Sequence, residues 1–360
     1  MPDLSPFFNA APYEWSREQK QTIMLEYFRE MERYHAENCV LYGRMSRMQN
    51  PSGSVDSLDG LPFVPVQMFK RYDLKSIPDG QLFKTMTSSG TTGQAVSKIY
   101  LDKDTATAQA KALSRIMTDY LGPQRRSMLI IDTPTVLRDP RMFSARGAGI
   151  LGMMNFGRNH TYALKEDMSP DFETAFDFLK SHAKEPILIF GFTFMIWRGL
   201  YQAFRERGIT VPLKDAVLIH AGGWKKMQEY AVDNATFKRS LRDVFGPGFR
   251  IHNFYGMVEQ TGSVYVECEE GHFHVSNFSD MIIRDPLTLK TLPFHSKGVI
   301  ETLSVLPMSY PGFAILTEDM GEVLGEDDCP CGRKGKYFEF KGRIPKAEVR
   351  GCSDVYSLGK

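Results

Sequence analysis

The chain has little of several things that would have fixed its class at once. Five cysteines in 360 residues are too few, and odd in number, for a disulfide scaffold, and they fit a reducing compartment. The formal net charge is only +1, which leaves no field to hold nucleic acid or an acidic membrane surface. The longest apolar run, Pro186 to Trp197, is too short to span a bilayer. Residues 1–16 lack a basic stretch followed by an apolar one, so no signal peptide is read there. Repeats and low-complexity tracts are also missing. These absences predict a cytoplasmic protein with no nucleic-acid partner and no membrane insertion. They leave a homo-oligomer open.

What is present is enough apolar content, 42%, to bury a large core in one large domain or a few smaller ones. Ser16 with Gln19 forms a capping box, and Ile23, Tyr27, Met31 and Tyr34 follow at helical spacing. Residues 51–65 read as a long connection. From Ser127 onward strand and helix alternate. Residues 127–132, 186–192, 216–223 and 250–256 read as short buried strands, and 171–183, 195–208 and 225–244 as helices. That alternation predicts an α/β fold with a largely parallel sheet, whose ligands gather beyond the carboxyl ends of the strands. Residues 298–305 and 313–319 read as strands with little helix nearby, and 334–360 as a charged tail.

Residues 88–93, Ser88-Ser89-Gly90-Thr91-Thr92-Gly93, pack hydroxyls and glycines into one loop, suited to wrapping phosphate oxygens. Gln94 follows in place of the Lys-Ser/Thr of a Walker A loop, and an ordinary exposed turn would have the same composition. Cys268 and His274, with Cys329-Pro330-Cys331-Gly332 far along the chain, make a Cys₃His set suited to structural zinc; buried, reduced cysteines are the alternative. Cys352 lies beside Arg350 near the end of the sequence, where partial ionisation would make it a nucleophile.

Thr87–Gly93 resembles the nucleotide loop of the adenylate-forming superfamily, and other landmarks follow in order. Tyr255-Gly256-Met257-Val258-Glu259 resembles the Tyr-Gly-x-Thr-Glu motif. The resemblance implies that Tyr255 stacks on adenine and Glu259 holds Mg²⁺, with Val258 replacing the threonine. Thr317-Glu318-Asp319 resembles the Thr-Gly-Asp whose aspartate binds ribose, and Gly342-Arg343 the hinge Gly-Arg whose arginine reaches the nucleotide. Ala221-Gly222-Gly223 resembles the strand end lining the adenine pocket. Phenylacetate-CoA ligases, a branch of this superfamily, carry a similar cysteine–histidine pattern, which favours His274 as the fourth ligand over His272.

The resemblance narrows further to the acyl-protein synthetases of the bacterial luminescence (LuxE) type. It runs over nearly the whole length, including residues 63–74, 88–102, 144–149, 189–197, 218–227 and the Arg-Gly-Cys-Ser tail. It implies an α/β adenylate-forming large-domain fold, parallel sheets flanked by helices plus a small β subdomain. Residues 1–335 would form that domain, with 1–80 its N-terminal helical part and 298–335 its β-rich part. Residues 336–360 would be a truncated hinge and mobile tail. Seventeen residues follow Arg343, so the expected C-terminal lid is reduced to a short tail, and Lys346 or Lys98 is the candidate to replace the lid's lysine.

The implied activity uses ATP and Mg²⁺ to activate a fatty or other carboxylic acid, passes the acyl group to Cys352, and delivers it to an acyl reductase protein. Apolar residues around Phe192, Phe194 and Met153 would line the acyl chain, or simply belong to the core. Two other readings stay open: an acyl-CoA ligase that uses soluble CoA, and a non-catalytic zinc-bearing partner subunit.

Overall fold

Gln19 Oε1 accepts from the Ser16 N–H at 3.1 Å, and the helix Arg17–Asn38 starts there as its capping box predicts. Its buried face is Lys20, Met24, Tyr27, Phe28, Met31 and His35, which leaves Ile23 and Tyr34 at the margin of the expected stripe. The computed structural model describes residues 2–88, 95–137, 145–224 and 229–344. They form two compact units: residues 2–88, 95–120 and 255–344 make one, and the described residues between 121 and 254 the other.

The second unit holds the parallel sheet. Its strands lie in the order Gly157–Tyr162, Arg126–Ile131, Pro186–Phe192, Asp215–Ala221 and Arg250–Tyr255. Every neighbouring pair is parallel. Runs such as Ile187–Phe190 are wholly buried, which is why they read as continuous apolar strings rather than alternating ones. The helix Phe172–Ser181 is capped by Asp171, which accepts from Thr174 N at 3.3 Å. The helical stretch after Pro186–Phe192 contains a π turn at Trp197–Gln202. The helix expected over 225–244 begins only at Asn234: Asp233 accepts from Thr236 N at 2.8 Å and starts it there.

The first unit is built on antiparallel pairing. Ser279–Arg284, Gly298–Ser304, Ala314–Glu326, Lys336–Arg343, Phe273–His274 and Tyr265–Glu267 lie side by side in that order. Residues 336–343, expected in the tail, are thus a sheet strand. Phe338 anchors them, fully buried with Tyr265, Phe273, Ile300 and Val323. Among the described residues no helix is long and apolar enough to cross a membrane.

Candidate functional site

The strands Ala314–Glu326 and Lys336–Arg343 form a long hairpin, paired from Asp319↔Arg343 at its open end to Glu326↔Lys336 near its turn. At the open end three of the expected nucleotide residues meet. Tyr255 donates its hydroxyl to Asp319 Oδ2 at 2.7 Å, and Arg343 Nε donates to Asp319 Oδ1 at 3.2 Å. Thr317 sets the backbone beneath them: its hydroxyl donates to Ile300 O at 2.7 Å and accepts from Asp319 N at 3.1 Å. Burial raises the Asp319 carboxyl above the ordinary range, and the Arg343 guanidinium and Tyr255 hydroxyl hold it back. The product is an oriented carboxylate, 8% exposed, between an aromatic ring and a cation, suited to accepting hydroxyl hydrogens from a sugar.

Glu259 sits on a short turn, Val258–Gln260, pinned from several sides. Gln260 Nε2 donates to Gly312 O at 2.8 Å and Thr302 O at 3.1 Å, and Tyr310 donates its hydroxyl to Glu259 O at 2.8 Å. Gly262 closes the turn at φ +91°, where an added Cβ would stand 2.6 Å from Gln109 O, so no other residue fits without a shift. The Glu259 side chain is itself buried. Burial raises its carboxyl, an effect opposed by the Ser97 side chain and by the charges of Lys70 and Arg343. A divalent cation would reverse that cost, and one carboxylate plus phosphate oxygens is how Mg²⁺ is commonly held.

Lys70, Gln260 and Tyr310 were not singled out from the sequence, although Lys70 lies in the 63–74 stretch that carries the family likeness. That stretch is stitched to the same region. Val64 pairs with Ile315, Gln67 donates to Glu318, and Phe69 packs edge-on against Tyr310 at 6.2 Å.

The turn end of the hairpin has different chemistry. Cys268, His274, Cys329 and Cys331 present ligand atoms that all lie within 4.8 Å of one another. Cys268 Sγ is 4.0 Å from Cys329 Sγ, and Cys331 Sγ is 3.2 Å from His274 Nε2. Thiolates about 2.3 Å from a zinc ion at tetrahedral angles stand about 3.8 Å apart, so the donor set fits that ion with small adjustments. Burial pushes the Cys268 thiol up and the Cys329 thiol up to about 12, and a bound cation would bring both down. His272 stands to one side, its Nδ1 3.6 Å from Cys329 Sγ.

Other expected residues fall elsewhere. Lys98 Nζ pairs with Asp73 at 3.3 Å, on a carboxylate that also accepts from the Tyr100 hydroxyl at 2.6 Å. Ser88 stands at the foot of the loop, where its hydroxyl accepts from Ser97 N at 2.9 Å. Ser89, Gly90, Thr91, Thr92, Gly93, Lys346 and Cys352 lie outside the described residues. Gly256 follows Tyr255 and is exposed. In the parallel unit Gly222 takes φ +73° at the end of its strand and Gly223 follows it, both exposed. Thr193 holds that end: its hydroxyl lies 2.5 Å from Gly222 O and 3.0 Å from His220 Nδ1. Phe192, Phe194 and Met153 are buried in the same unit.

The family described as "Acyl-protein synthetase, LuxE" matches residues 3–358. A long-chain-fatty-acid–luciferin-component ligase of Vibrio harveyi is 23% identical over 357 residues, covering 96% of this chain and 90% of its own. One of the same description from Aliivibrio fischeri is 25% identical, covering 96% and 91%. Among solved structures, an open conformation of 2-hydroxyisobutyryl-CoA ligase in complex with 2-HIB-AMP and CoA matches with a TM-score of 0.70. It is 16% identical, over 93% of this chain and 77% of that one, a likeness of fold. The fold is that of the adenylate-forming enzymes, and the chain belongs to the LuxE acyl-protein synthetase family, which makes it an acid–thiol ligase.

Proposed function

We propose that this enzyme uses ATP to convert a long-chain fatty acid to an acyl-adenylate and then takes the acyl group onto its own Cys352. The observation that carries the reading is the meeting of Tyr255, Asp319 and Arg343 at one strand end, in a chain of this family. In it, Tyr255 offers a stacking surface to adenine, Asp319 accepts the ribose hydroxyls, and Arg343 lends positive charge beside them. Ser88 to Gly93, with Lys98, would hold the phosphates. Mg²⁺ held by Glu259 would neutralise phosphate charge.

A carboxylate oxygen attacks the α-phosphorus and pyrophosphate leaves. The Cys352 thiolate then attacks the acyl carbonyl carbon, and AMP leaves with the electron pair of the broken anhydride bond. The thioester is a form from which an acyl reductase partner can take the group. Lys346 would supply charge at the α-phosphate. Zinc held by Cys268, His274, Cys329 and Cys331 would fill a closed structural site that ties the hairpin turn.

The test is incubation with ATP, Mg²⁺ and labelled fatty acid in the absence of CoA. The reading expects hydroxylamine-labile label on the protein, absent from Cys352→Ser while acid-dependent pyrophosphate release persists. Equal labelling of the serine variant removes Cys352 as acceptor. Turnover only when CoA is added makes the enzyme a CoA ligase.

A further inference from the structure

We propose that Arg333 is a positioning residue for metal binding at the turn end of the hairpin: it joins the two halves of the ligand set before the ion arrives. The inference rests on the reading of Cys268, His274, Cys329 and Cys331 as zinc ligands. Three of these ligands sit in two turns of the same build. Cys268 O accepts from Gly271 N at 3.1 Å, and Cys329 O accepts from Gly332 N at 3.0 Å. Both glycines take a positive φ, +86° and +82°, so the chain reverses just after each cysteine. The two turns are distant in sequence, with 61 residues from Cys268 to Cys329. Strand pairing brings Phe273–His274 alongside Tyr265–Glu267 and Lys336–Arg343, but all three cysteines lie outside the paired residues. A brace beyond the ladder is needed to set one turn against the other.

Arg333 supplies it. The residue directly follows Gly332, and its Nη1 donates to Glu269 Oε2 at 2.7 Å, on the neighbour of Cys268. Its Nε donates to Asp119 Oδ2 at 2.8 Å, near the end of the helix Lys103–Leu121. The guanidinium also lies over two rings, 4.2 Å from the centroid of Tyr120 and 5.8 Å from that of Tyr13. Tyr13 in turn stands edge-on to His274 at 6.0 Å, so the same stack backs the fourth ligand.

An exposed ion pair contributes little. This side chain is only 14% exposed, and one planar group directs both of its donors, which fixes the angle between the turns as a lysine could not. A site assembled in advance spares the metal the cost of ordering its ligands, so zinc binds more tightly and leaves more slowly.

The experiment strips the full chain of metal and measures zinc affinity by competition with a chromophoric chelator, with melting temperatures of the stripped and loaded forms alongside. Arg333→Met, which keeps the apolar stem, is expected to weaken zinc by about 10- to 100-fold. Glu269→Gln, which leaves every ligand in place, is expected to weaken it about tenfold. Arg333→Lys restores the charge without the planar geometry and should fall between the parent and Arg333→Met. The loaded form of each variant should lose more melting temperature than the stripped form. With Co²⁺ in place of zinc, the absorption bands should match those of the parent, because the ligands are the same. Unchanged zinc affinity in Arg333→Met or Glu269→Gln overturns the proposal. Equal losses of melting temperature in both forms mark a general packing defect, and shifted Co²⁺ bands mark a lost ligand; either result overturns it too. A parent that binds no zinc removes the zinc reading and the proposal with it, whereas variants that bind zinc as tightly as a zinc-binding parent remove the proposal alone.

Discussion

The hairpin of Ala314–Glu326 and Lys336–Arg343 carries two unlike sites, one at each end. At the open end Asp319, itself buried, holds Tyr255 and Arg343 in a charged arrangement. At the turn end, seven residues further along the first strand and into the loop beyond, Cys268, Cys329 and His274 are buried and face one another. Four donors would close a tetrahedral zinc shell, leaving no open position of the kind a catalytic metal keeps. On the proposed reading the closed end would fix the register of the hairpin, and the open end would hold a ligand. If so, damage at the turn should appear as lost stability, and damage at the open end as lost binding.

The largest effect is expected from stripping metal or from Cys329→Ser. Zinc content should fall from about one equivalent, and the melting temperature should drop by on the order of 10 °C. Less than about half an equivalent of zinc in the parent protein removes the metal from the account. Next, Asp319→Ala should keep the melting temperature within a few degrees but lower kcat/KM for ATP about a hundredfold, since it strands Arg343 and loses the sugar contact. A large loss of stability with intact ATP binding would collapse the distinction between the ends.

Gly262→Ala tests the third part, the Glu259 turn. A strained φ and the contact with Gln109 O predict a loss of about 2 kcal/mol by urea unfolding, together with weaker dependence of activity on Mg²⁺. The last effect is absent at neutral pH and shows only on acidification. His35 Nε2 donates to Pro307 O at 3.1 Å and its Nδ1 lies 2.7 Å from Ser76 Oγ, with the ring wholly buried. Burial lowers its pKa to about 3, and that of His220 in the other unit to about 3. Below about pH 6.5 the unfolded chain takes up protons that the fold refuses. Each ring therefore removes about 1 kcal/mol of stability per pH unit on acidification from 6.5 toward 3. His35→Gln should flatten the slope of stability against pH over that window, and an unchanged slope would assign it to other groups.

The parallel strands were legible because burial on both faces writes them as unbroken apolar runs: residues 186–192 were read with the ends they have. Asp319, Tyr255, Arg343 and the cysteines were legible as motifs, each with a local residue pattern. Gln260 and Tyr310 were not. Their contacts run to carbonyls distant in sequence, which no local pattern announces. Residues 336–343 misled for a related reason. Their charges, Lys336, Glu339, Lys341 and Arg343, advertise a solvated tail, while Phe338 alone is wholly buried and commits the strand to the sheet.

If the open end of the hairpin serves acid activation, acid-dependent exchange of labelled pyrophosphate into ATP reads it most directly, in the parent protein and in Asp319→Ala. Exchange is expected to require a long-chain fatty acid, to saturate with it, and to fall about a hundredfold in the variant at limiting ATP. Exchange that ignores the acid, or an Asp319→Ala protein that exchanges like its parent, would contradict it.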